Sequence, residues 1–337
     1  RYVLLVGTPP LVPTRKLYCS FSAATDLIPA DSVYYGCLDG SFDGDGDGIY
    51  GEIGDGDDGG DVDLVAEVFV GRYPAVSTGE VSRLVRKTLA YEARQPEELR
   101  PVTHVGEWLG FGGSAEYATG AMEQIRLGAG SGGINSLGFQ SSYLNASLDT
   151  RDTLYDAPGY RWPASEMLRR LNANLHVINH LGHGAEQIGF KLDLKQADNR
   201  AAIAGLTNTL PYFIYSQACY IGAYDTPDCL ARQFAVSGGG PFAAVVNSRY
   251  GWGYRELVDG PSQFFHRKFW DAVFSGSAYT LGEIQARSRE SLRLYVNPFS
   301  GTVHRWIFYE LNLFGDPATP FAARLLDTLP TLETPGL

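Results

Sequence analysis

The sequence predicts an α/β protein, with a mostly parallel β-sheet that is covered by helices on both faces. Short apolar runs that end in glycine or polar residues alternate with segments of helical periodicity. Parallel strands need long crossover connections, and the helical segments between the apolar runs can supply them. The length of 337 residues suits one large domain or two smaller ones, and the hydrophobic share of 44% excludes wholesale disorder.

Turn and cap residues mark the expected element boundaries. The Ser-x-x-Glu pattern at 77–80 and the Thr-x-x-Glu pattern at 280–283 are capping boxes that predict helix starts. Thr226 and Pro227 are expected to be the N-cap and first-turn proline of another helix. Residues 128–162 are rich in Gly, Ser, Asn and Asp and are predicted to be an excursion over the surface. Strands are predicted at 1–7, 65–70, 105–111, 176–182, 210–218 and 241–247, and further helices at 117–126, 164–173 and 261–275.

The charge of the chain is concentrated in one segment. The formal net charge is −11, from 38 acidic and 27 basic side chains. Residues 31–67 hold twelve acidic and no basic side chains, so the remaining 26 acidic and 27 basic side chains sum to +1. The acidic balance argues against nucleic acid as a partner, because that binding depends on Lys and Arg. No apolar run approaches the roughly 20 residues that a membrane span requires.

The acidic segment predicts a structural Ca²⁺ site. Its carboxylates alternate with glycines, and Ca²⁺ takes six to eight oxygen ligands from such turning backbone. The segment is not an EF-hand, because Gly54 stands where the bidentate glutamate would be. The alternative is a solvated acidic loop. The candidate ligands are Asp43, Asp45, Asp47, Glu52, Asp55, Asp57, Asp61 and Asp63.

Two reactive side chains directly follow predicted strands. His183 lies between two glycines after one strand, and Cys219 follows the next strand, 36 residues later. The carboxyl ends of parallel strands meet at one sheet edge, where α/β proteins bind ligands. A thiolate is a nucleophile, and a neighbouring imidazole can lower the thiol pKa or take its proton. The backbone N–H groups of Gly184 and Cys219 could then face a developing oxyanion.

Other interpretations of these residues stay open. A lone buried histidine or cysteine is more often a core residue than a catalyst. His180 and His183 could instead bind a metal, although residues three apart diverge along a strand. Cys19 and Cys37 could form a disulfide, but spacing alone does not decide this.

At these residues the sequence resembles the gingipain-like cysteine peptidases, peptidase family C25, whose catalytic domain has a caspase-like fold. The matching landmarks occur in the same order through nearly the whole chain. They are Tyr2-Val-Leu-Leu-Val-Gly7, Glu67-Val-Phe-Val-Gly-Arg72, Gly182-His183-Gly184, Ala218-Cys219, Cys229, Trp252 and Phe314-Gly-Asp-Pro317.

The resemblance implies a cysteine endopeptidase that acts on proteins or peptides. Cys219 would be the nucleophile and His183 the general base and acid. Glu116, in a Ser-Ala-Glu run, would orient the histidine, with Glu107 as the fallback. Trp252 and Gln217 would line the substrate pocket. Bound calcium also occurs in the family.

The resemblance has limits that leave specificity and context open. The acidic residue that selects arginine in some members has no clear counterpart here, since Leu127 lies near the expected place. The expected organisation is a peptidase domain at 1–326 with the acidic loop at 31–67, then a linker or tail at 327–337. We expect a piece of a larger precursor, outside the cell or on the surface of a bacterium or archaeon. The alternative is an inactive caspase-like binding or scaffold module.

Overall fold

An eight-stranded β-sheet forms the centre of the computed structural model, which describes residues 1–131, 134–139, 149–296 and 302–321. The strands of the chain are β1 (Tyr2–Val6), β2 (Lys16–Phe21), β3 (Ala24–Pro29), β4 (Phe69–Tyr73), β5 (Pro101–Gly106), β6 (Ala129–Ser131), β7 (Ile134–Ser136), β8 (Asp149–Tyr155), β9 (Val177–Leu181), β10 (Ile188–Gly189), β11 (Leu192–Asp193), β12 (Tyr212–Ser216), β13 (Pro241–Asn247) and β14 (Leu311–Phe314). In space the large sheet runs β1-β4-β14-β13-β12-β9-β5-β8. All its neighbouring pairs are parallel except β13 and β14.

Helices cover both faces of this sheet. They are α1 (Asp31–Tyr34), α2 (Thr78–Glu92), α3 (Thr119–Leu127), α4 (Ala164–Leu171), α5 (Ala197–Ala204), α6 (Leu230–Val236), α7 (Pro261–Phe274), α8 (Leu281–Glu290), α9 (Arg293–Val296) and α10 (Thr302–Glu310). Successive side chains of a strand point to opposite faces. In β12, Phe213 packs with Phe269 and Trp270 of α7, whereas Ile214 belongs to a second core with Leu171 of α4.

The predicted architecture is confirmed. The sheet is mostly parallel, and its central strands β9, β12 and β13 are buried along their whole length, as expected when helices lie on both sides. Both capping boxes start helices as predicted. The Ser77 hydroxyl accepts the Glu80 N–H at 3.3 Å, and the Thr280 hydroxyl accepts the Glu283 N–H at 3.4 Å.

The prediction of a surface excursion at 128–162 was wrong in part. Strand β8 lies within it and pairs in parallel with β5 at the edge of the large sheet. Its sequence, DTRDTLY, lacks the continuous apolar run of the central strands, and it is paired on one side only. This polar composition is the reason why the strand was not predicted.

Other elements also differ from the predictions. The strand predicted at 105–111 is β5, which spans Pro101–Gly106. The strand expected at 65–70 is β4, which begins at Phe69, and β14 was not predicted as a strand. Helix α6 begins at Leu230 with Cys229 as its N-cap. Thr226 does not cap it, because its hydroxyl donates to the Ala223 carbonyl at 2.7 Å in a preceding turn.

Within the described residues, no helix combines the length and hydrophobicity needed to cross a lipid bilayer. The predicted tail at 327–337 lies outside the described residues.

A buried ion pair ties the amino-terminal loop to the sheet. Arg72 in β4 is 2% exposed and donates through Nε to Asp31 Oδ2 at 2.5 Å. The same guanidinium donates to the backbone carbonyls of Gly7 and Val12, at 2.5 and 3.0 Å, so one side chain holds three chain segments. Asp31 also accepts the Thr14 hydroxyl at 2.5 Å. Removing either charge would leave its partner buried without compensation.

We therefore expect Arg72→Met to lower the free energy of unfolding by about 3–5 kcal/mol, measured by urea denaturation. Arg169→Met is the control, because Arg169 and Glu166 form an exposed pair at 3.2 Å. That change should cost less than about 1 kcal/mol. Equal losses in the two variants would contradict this account of Arg72.

Candidate active site

The register between β9 and β12 determines where the two reactive side chains lie. His180 pairs with Ser216 across these parallel strands. His183 and Cys219 each lie three residues beyond that pair. The register is fixed by side chains as well as backbone, since His180 Nδ1 lies 2.8 Å from Ser216 Oγ. His183 and Cys219 therefore both lie at the carboxyl edge of the sheet, where they border the same cavity.

Both residues line one cavity of about 730 Å³. Cys219 is half-buried and His183 is exposed. The Cys219 thiol faces the Gly251 carbonyl oxygen at 3.8 Å. Trp252, predicted for the substrate pocket, lies in the same wall. The other lining residues are Gly110, Phe111, Gly112, Tyr250, Gly253, Arg255 and Glu256.

Glu116 contacts the loop beside the histidine. Its carboxylate accepts the Trp108 indole N–H at 2.5 Å and the Gly112 backbone N–H at 3.1 Å. Its backbone carbonyl accepts the Leu109 N–H at 2.9 Å. The His183 Nε2 atom in turn lies 3.1 Å from the Leu109 carbonyl oxygen. Glu116 is therefore placed to act on His183 through Leu109 rather than by a direct hydrogen bond.

Glu107, the fallback candidate, contacts a different histidine. Its Oε1 atom lies 2.9 Å from His180 Nε2, and both side chains are buried. Gly182 makes room for this carboxylate, because a Cβ at that position would lie 2.3 Å from Glu107 Cδ. His180 is thus held by Glu107 and Ser216 within the sheet. Among the described residues, no cluster of potential metal ligands includes a histidine.

The backbones of Gly184 and Cys219, the two predicted oxyanion donors, approach each other closely. A Cβ at Gly184 would lie 2.6 Å from the Cys219 carbonyl oxygen, so only glycine allows the two backbones to approach this closely. Gly182 therefore allows close packing against Glu107, and Gly184 allows close packing against Cys219.

Asp156 and Lys191 were missed by the sequence analysis. Asp156 is buried and accepts the backbone N–H groups of Trp108 and Trp162, at 2.8 and 2.9 Å. Lys191 Nζ pairs with the same carboxylate at 2.6 Å. These contacts fix the start of the loop that faces His183. No local sequence pattern joins residues so far apart in the chain.

Burial keeps the resting thiol protonated. Burial, with a smaller contribution from the Glu310 carboxylate, raises the pKa of the Cys219 thiol to about 11. A base must therefore remove this proton for Cys219 to act as a nucleophile at neutral pH. Burial also raises the pKa of Cys229 to about 12, and that side chain has no exposed surface. Cys19 and Cys37 are buried free thiols, so the possible disulfide between them is not formed in this structure.

The acidic segment gathers carboxylates into three clusters that could hold a cation. Within each, the candidate ligand atoms lie within 4.8 Å of one another. Asp39 and Glu67 join one cluster and were not among the predicted ligands. Asp57 and Asp61 lie outside the three clusters found in the described residues. The clusters are Asp43-Asp45-Asp55, Asp45-Asp47-Glu52 and Asp39-Asp63-Glu67.

The backbone of the segment is ordered around Asp55. This residue is fully buried, and its carboxylate accepts the N–H groups of Gly44, Gly51 and Glu52 at 2.6–3.0 Å. Burial and the neighbouring carboxylates of Asp47 and Asp45 raise the pKa of Glu52. Burial raises the pKa of Asp63 as well. The arrangement concentrates negative charge at defined oxygens, which suits a hard cation.

A cysteine and a histidine that line one cavity, at the carboxyl edge of a mostly parallel sheet with helices on both faces, form the arrangement expected of a caspase-like cysteine peptidase. The chain belongs to peptidase family C25, since the model for "Peptidase family C25" matches residues 1–322.

Solved structures agree on the fold. The chain is similar to the Arg-specific cysteine proteinase gingipain R (RgpB), with 16% identity, a TM-score of 0.63, and 95% of this chain and 63% of that chain covered. It is also similar to the complex of the Porphyromonas gingivalis RgpB pro- and mature domains, with 15% identity, a TM-score of 0.62, and 95% and 65% covered. The chain thus spans less than two thirds of these structures. No curated protein matches the sequence.

The raised thiol pKa predicts how alkylation of Cys219 depends on pH. Only the thiolate reacts, and its fraction grows with pH until the pH passes the pKa of about 11. The iodoacetamide rate at Cys219 should therefore rise about tenfold per pH unit from pH 7 to 9.5. Peptide mass spectrometry would separate Cys219 from Cys229, which should stay unmodified in the folded protein. A rate that levels off below pH 8 would refute the prediction.

Proposed function

We propose that this chain is a cysteine endopeptidase that cleaves peptide bonds by covalent catalysis at Cys219. The observation that carries the proposal is the shared cavity of His183 and Cys219, held by the register of β9 and β12. Family membership supports the same activity. An inactive scaffold would not require an open cavity at the one half-buried thiol among the described cysteines.

The chemistry follows from the position of each group. His183 takes the thiol proton as the Cys219 sulfur attacks the peptide carbonyl carbon. The N–H groups of Gly184 and Cys219 donate to the oxyanion that forms. His183 then returns the proton to the leaving amine, and the C–N bond breaks to leave a thioester. A water molecule, deprotonated by His183, hydrolyses the thioester and restores the thiol.

Glu116 is the proposed positioning residue of this site. Its carboxylate accepts hydrogen bonds from Trp108 and Gly112, and its backbone carbonyl accepts one from Leu109. The Leu109 carbonyl in turn contacts the His183 imidazole. A hydrogen bond to one ring nitrogen fixes the orientation and tautomer of a histidine. The other nitrogen is then available to exchange a proton with Cys219.

We further propose that Ca²⁺ stabilises the acidic segment. Carboxylate oxygens are the donors this ion prefers, and Asp45 belongs to two of the three clusters. The segment is docked on α10, where the Tyr309 hydroxyl donates to the Gly51 carbonyl at 2.8 Å. Arg305 donates to the Gly59 carbonyl at 3.2 Å. A cation would offset the repulsion that otherwise opposes this docking.

The proposed setting is extracellular or at the cell surface of a bacterium or archaeon, with the chain processed from a larger precursor. The structure of RgpB with its pro-domain supports processing by analogy. Calcium at millimolar concentration outside cells would suit a site of exposed carboxylates.

Hydrolysis of a fluorogenic peptide library tests the activity. Cys219→Ala should abolish turnover, and His183→Ala should lower kcat/KM by about 10²–10⁴ because general acid–base transfer is lost. Glu116→Gln should lower kcat more than it raises KM. Cys229→Ala is the matched control and should keep activity. Undiminished hydrolysis by Cys219→Ala would refute the mechanism.

Chelation tests the calcium site. Excess EGTA should lower Tm, and added CaCl₂ should raise it, with a gain of about 2.7 kcal/mol at 100 times the Kd. Asp45→Asn should weaken this response because it removes a negative charge from two clusters. Asp57→Asn is the control, since Asp57 is exposed and lies in none of the three clusters of the described residues. A melting curve insensitive to both reagents would rule out the site.

A further inference from the structure

Three buried polar atoms close to Cys219 have no hydrogen-bond partner among the described residues. They are the side-chain oxygens of Gln217 and Gln263 and the indole nitrogen of Trp252. The two glutamines are only 3% and 7% exposed. All three side chains line a narrow recess of about 40 Å³ that also borders His183 and Cys219. Buried polar groups without partners are costly, so water or a ligand is expected to pair with them.

A chain of hydrogen bonds fixes which end of the Gln217 amide faces away from the core. The Trp270 indole can only donate, and it lies 2.8 Å from Asn179 Oδ1, so that atom is an acceptor. His266 Nε2, 2.9 Å from the same oxygen, must then carry a proton. Burial lowers the pKa of His266 well below its usual range, so the ring is neutral and its Nδ1 accepts. Gln217 Nε2 donates to that Nδ1 at 2.8 Å, which leaves its oxygen for a ligand.

The other wall of the recess is held by the start of α7. The backbone N–H of Trp252 donates to Ser262 Oγ at 2.9 Å, and the backbone N–H of Ser262 donates to the Trp252 carbonyl at 3.0 Å. Gln263 follows in the same turn, and its oxygen lies where a Cβ of Gly260 would approach to 2.3 Å. Glycine at position 260 thus leaves space for the Gln263 amide. The recess is built from fixed side chains.

We propose, building on the peptidase function above, that this recess selects a glutamine or asparagine side chain before the scissile bond. A primary carboxamide has two N–H donors and one carbonyl acceptor. These match two unpartnered oxygens and one unpartnered indole N–H. The volume suits its three non-hydrogen atoms, since one water-sized probe occupies about 10–15 Å³. A lysine or arginine is disfavoured, because no carboxylate lines the recess in the described residues and the indole N–H would face the cation.

Kinetics with peptides that differ only in the residue before the scissile bond test the proposal. Sites that pair a buried substrate group reject analogues that lack it. We expect kcat/KM for glutamine or asparagine to exceed that for methionine, lysine and arginine by at least about tenfold. A preference for lysine, arginine or methionine would overturn the proposal.

A variant of Gln217 tests whether this side chain determines the preference for glutamine. Gln217→Leu should reduce the ratio of glutamine to methionine turnover at least about tenfold. Gln285→Leu is the matched control, because Gln285 is 2% exposed and donates to the Leu311 carbonyl at 3.1 Å, away from the recess. It should change stability but not the ratio. An unchanged ratio in folded Gln217→Leu would overturn the assignment.

Labelling by peptidyl vinyl sulfones separates this proposal from the peptidase function. The Cys219 sulfur adds to the vinyl carbon and the proton moves to the carbon next to the sulfone, so no turnover is needed. Faster labelling by the glutamine reagent without hydrolysis would support the recess and refute the peptidase function. Hydrolysis with equal labelling by the glutamine and methionine reagents would refute the recess alone.

Discussion

The parallel pairing of β9 and β12 is the constraint on which the site depends. His180 sits at the end of that pairing, with one ring nitrogen on Ser216 and the other on Glu107, just beyond β5. One buried imidazole therefore links the ends of three neighbouring strands. A shift of one residue would reverse the faces of every side chain on a strand. It would also break both contacts of His180, so the positions of His183 and Cys219 follow from a locked register.

Helices on one face of the sheet also fix side chains that line the cavity. Helix α7 carries His266 and Trp270, which orient Gln217, and Gln263, which lines the recess. Helix α10 joins the acidic segment to the same wall. Arg305 donates to the backbone of that segment, and the next residue, Trp306, packs edge-on against Trp252 with ring centroids 5.8 Å apart. Helix α10 therefore contacts both the acidic segment and a side chain that lines the cavity.

The sequence predicted the buried parts of the fold better than the exposed ones. Strands such as β13 are continuous apolar runs, because helices cover both sides of them. β8 carries polar residues at an open edge, and its pairing with β5 comes from tertiary contact that composition does not encode. The glycines that flank His183 drew attention to a residue that lines the same cavity as Cys219. Glycine is needed at these positions because the backbone approaches Glu107 and Cys219 closely. These contacts join residues that lie far apart in the chain.

The net charge of −11 describes the acidic segment rather than the reacting groups. Asp55 is held by three N–H donors within the segment, so its charge is compensated locally. Burial is the main cause of the raised Cys219 pKa, and the acidic group that adds to it is Glu310, which is fully buried at the end of α10. Its carboxylate accepts the Arg249 N–H at 3.2 Å, two residues before Gly251, whose carbonyl faces the thiol. The electrostatics of the Cys219 thiol are therefore set by the core beneath it, so the total charge of the chain carries no information about the polarity of a ligand in the recess.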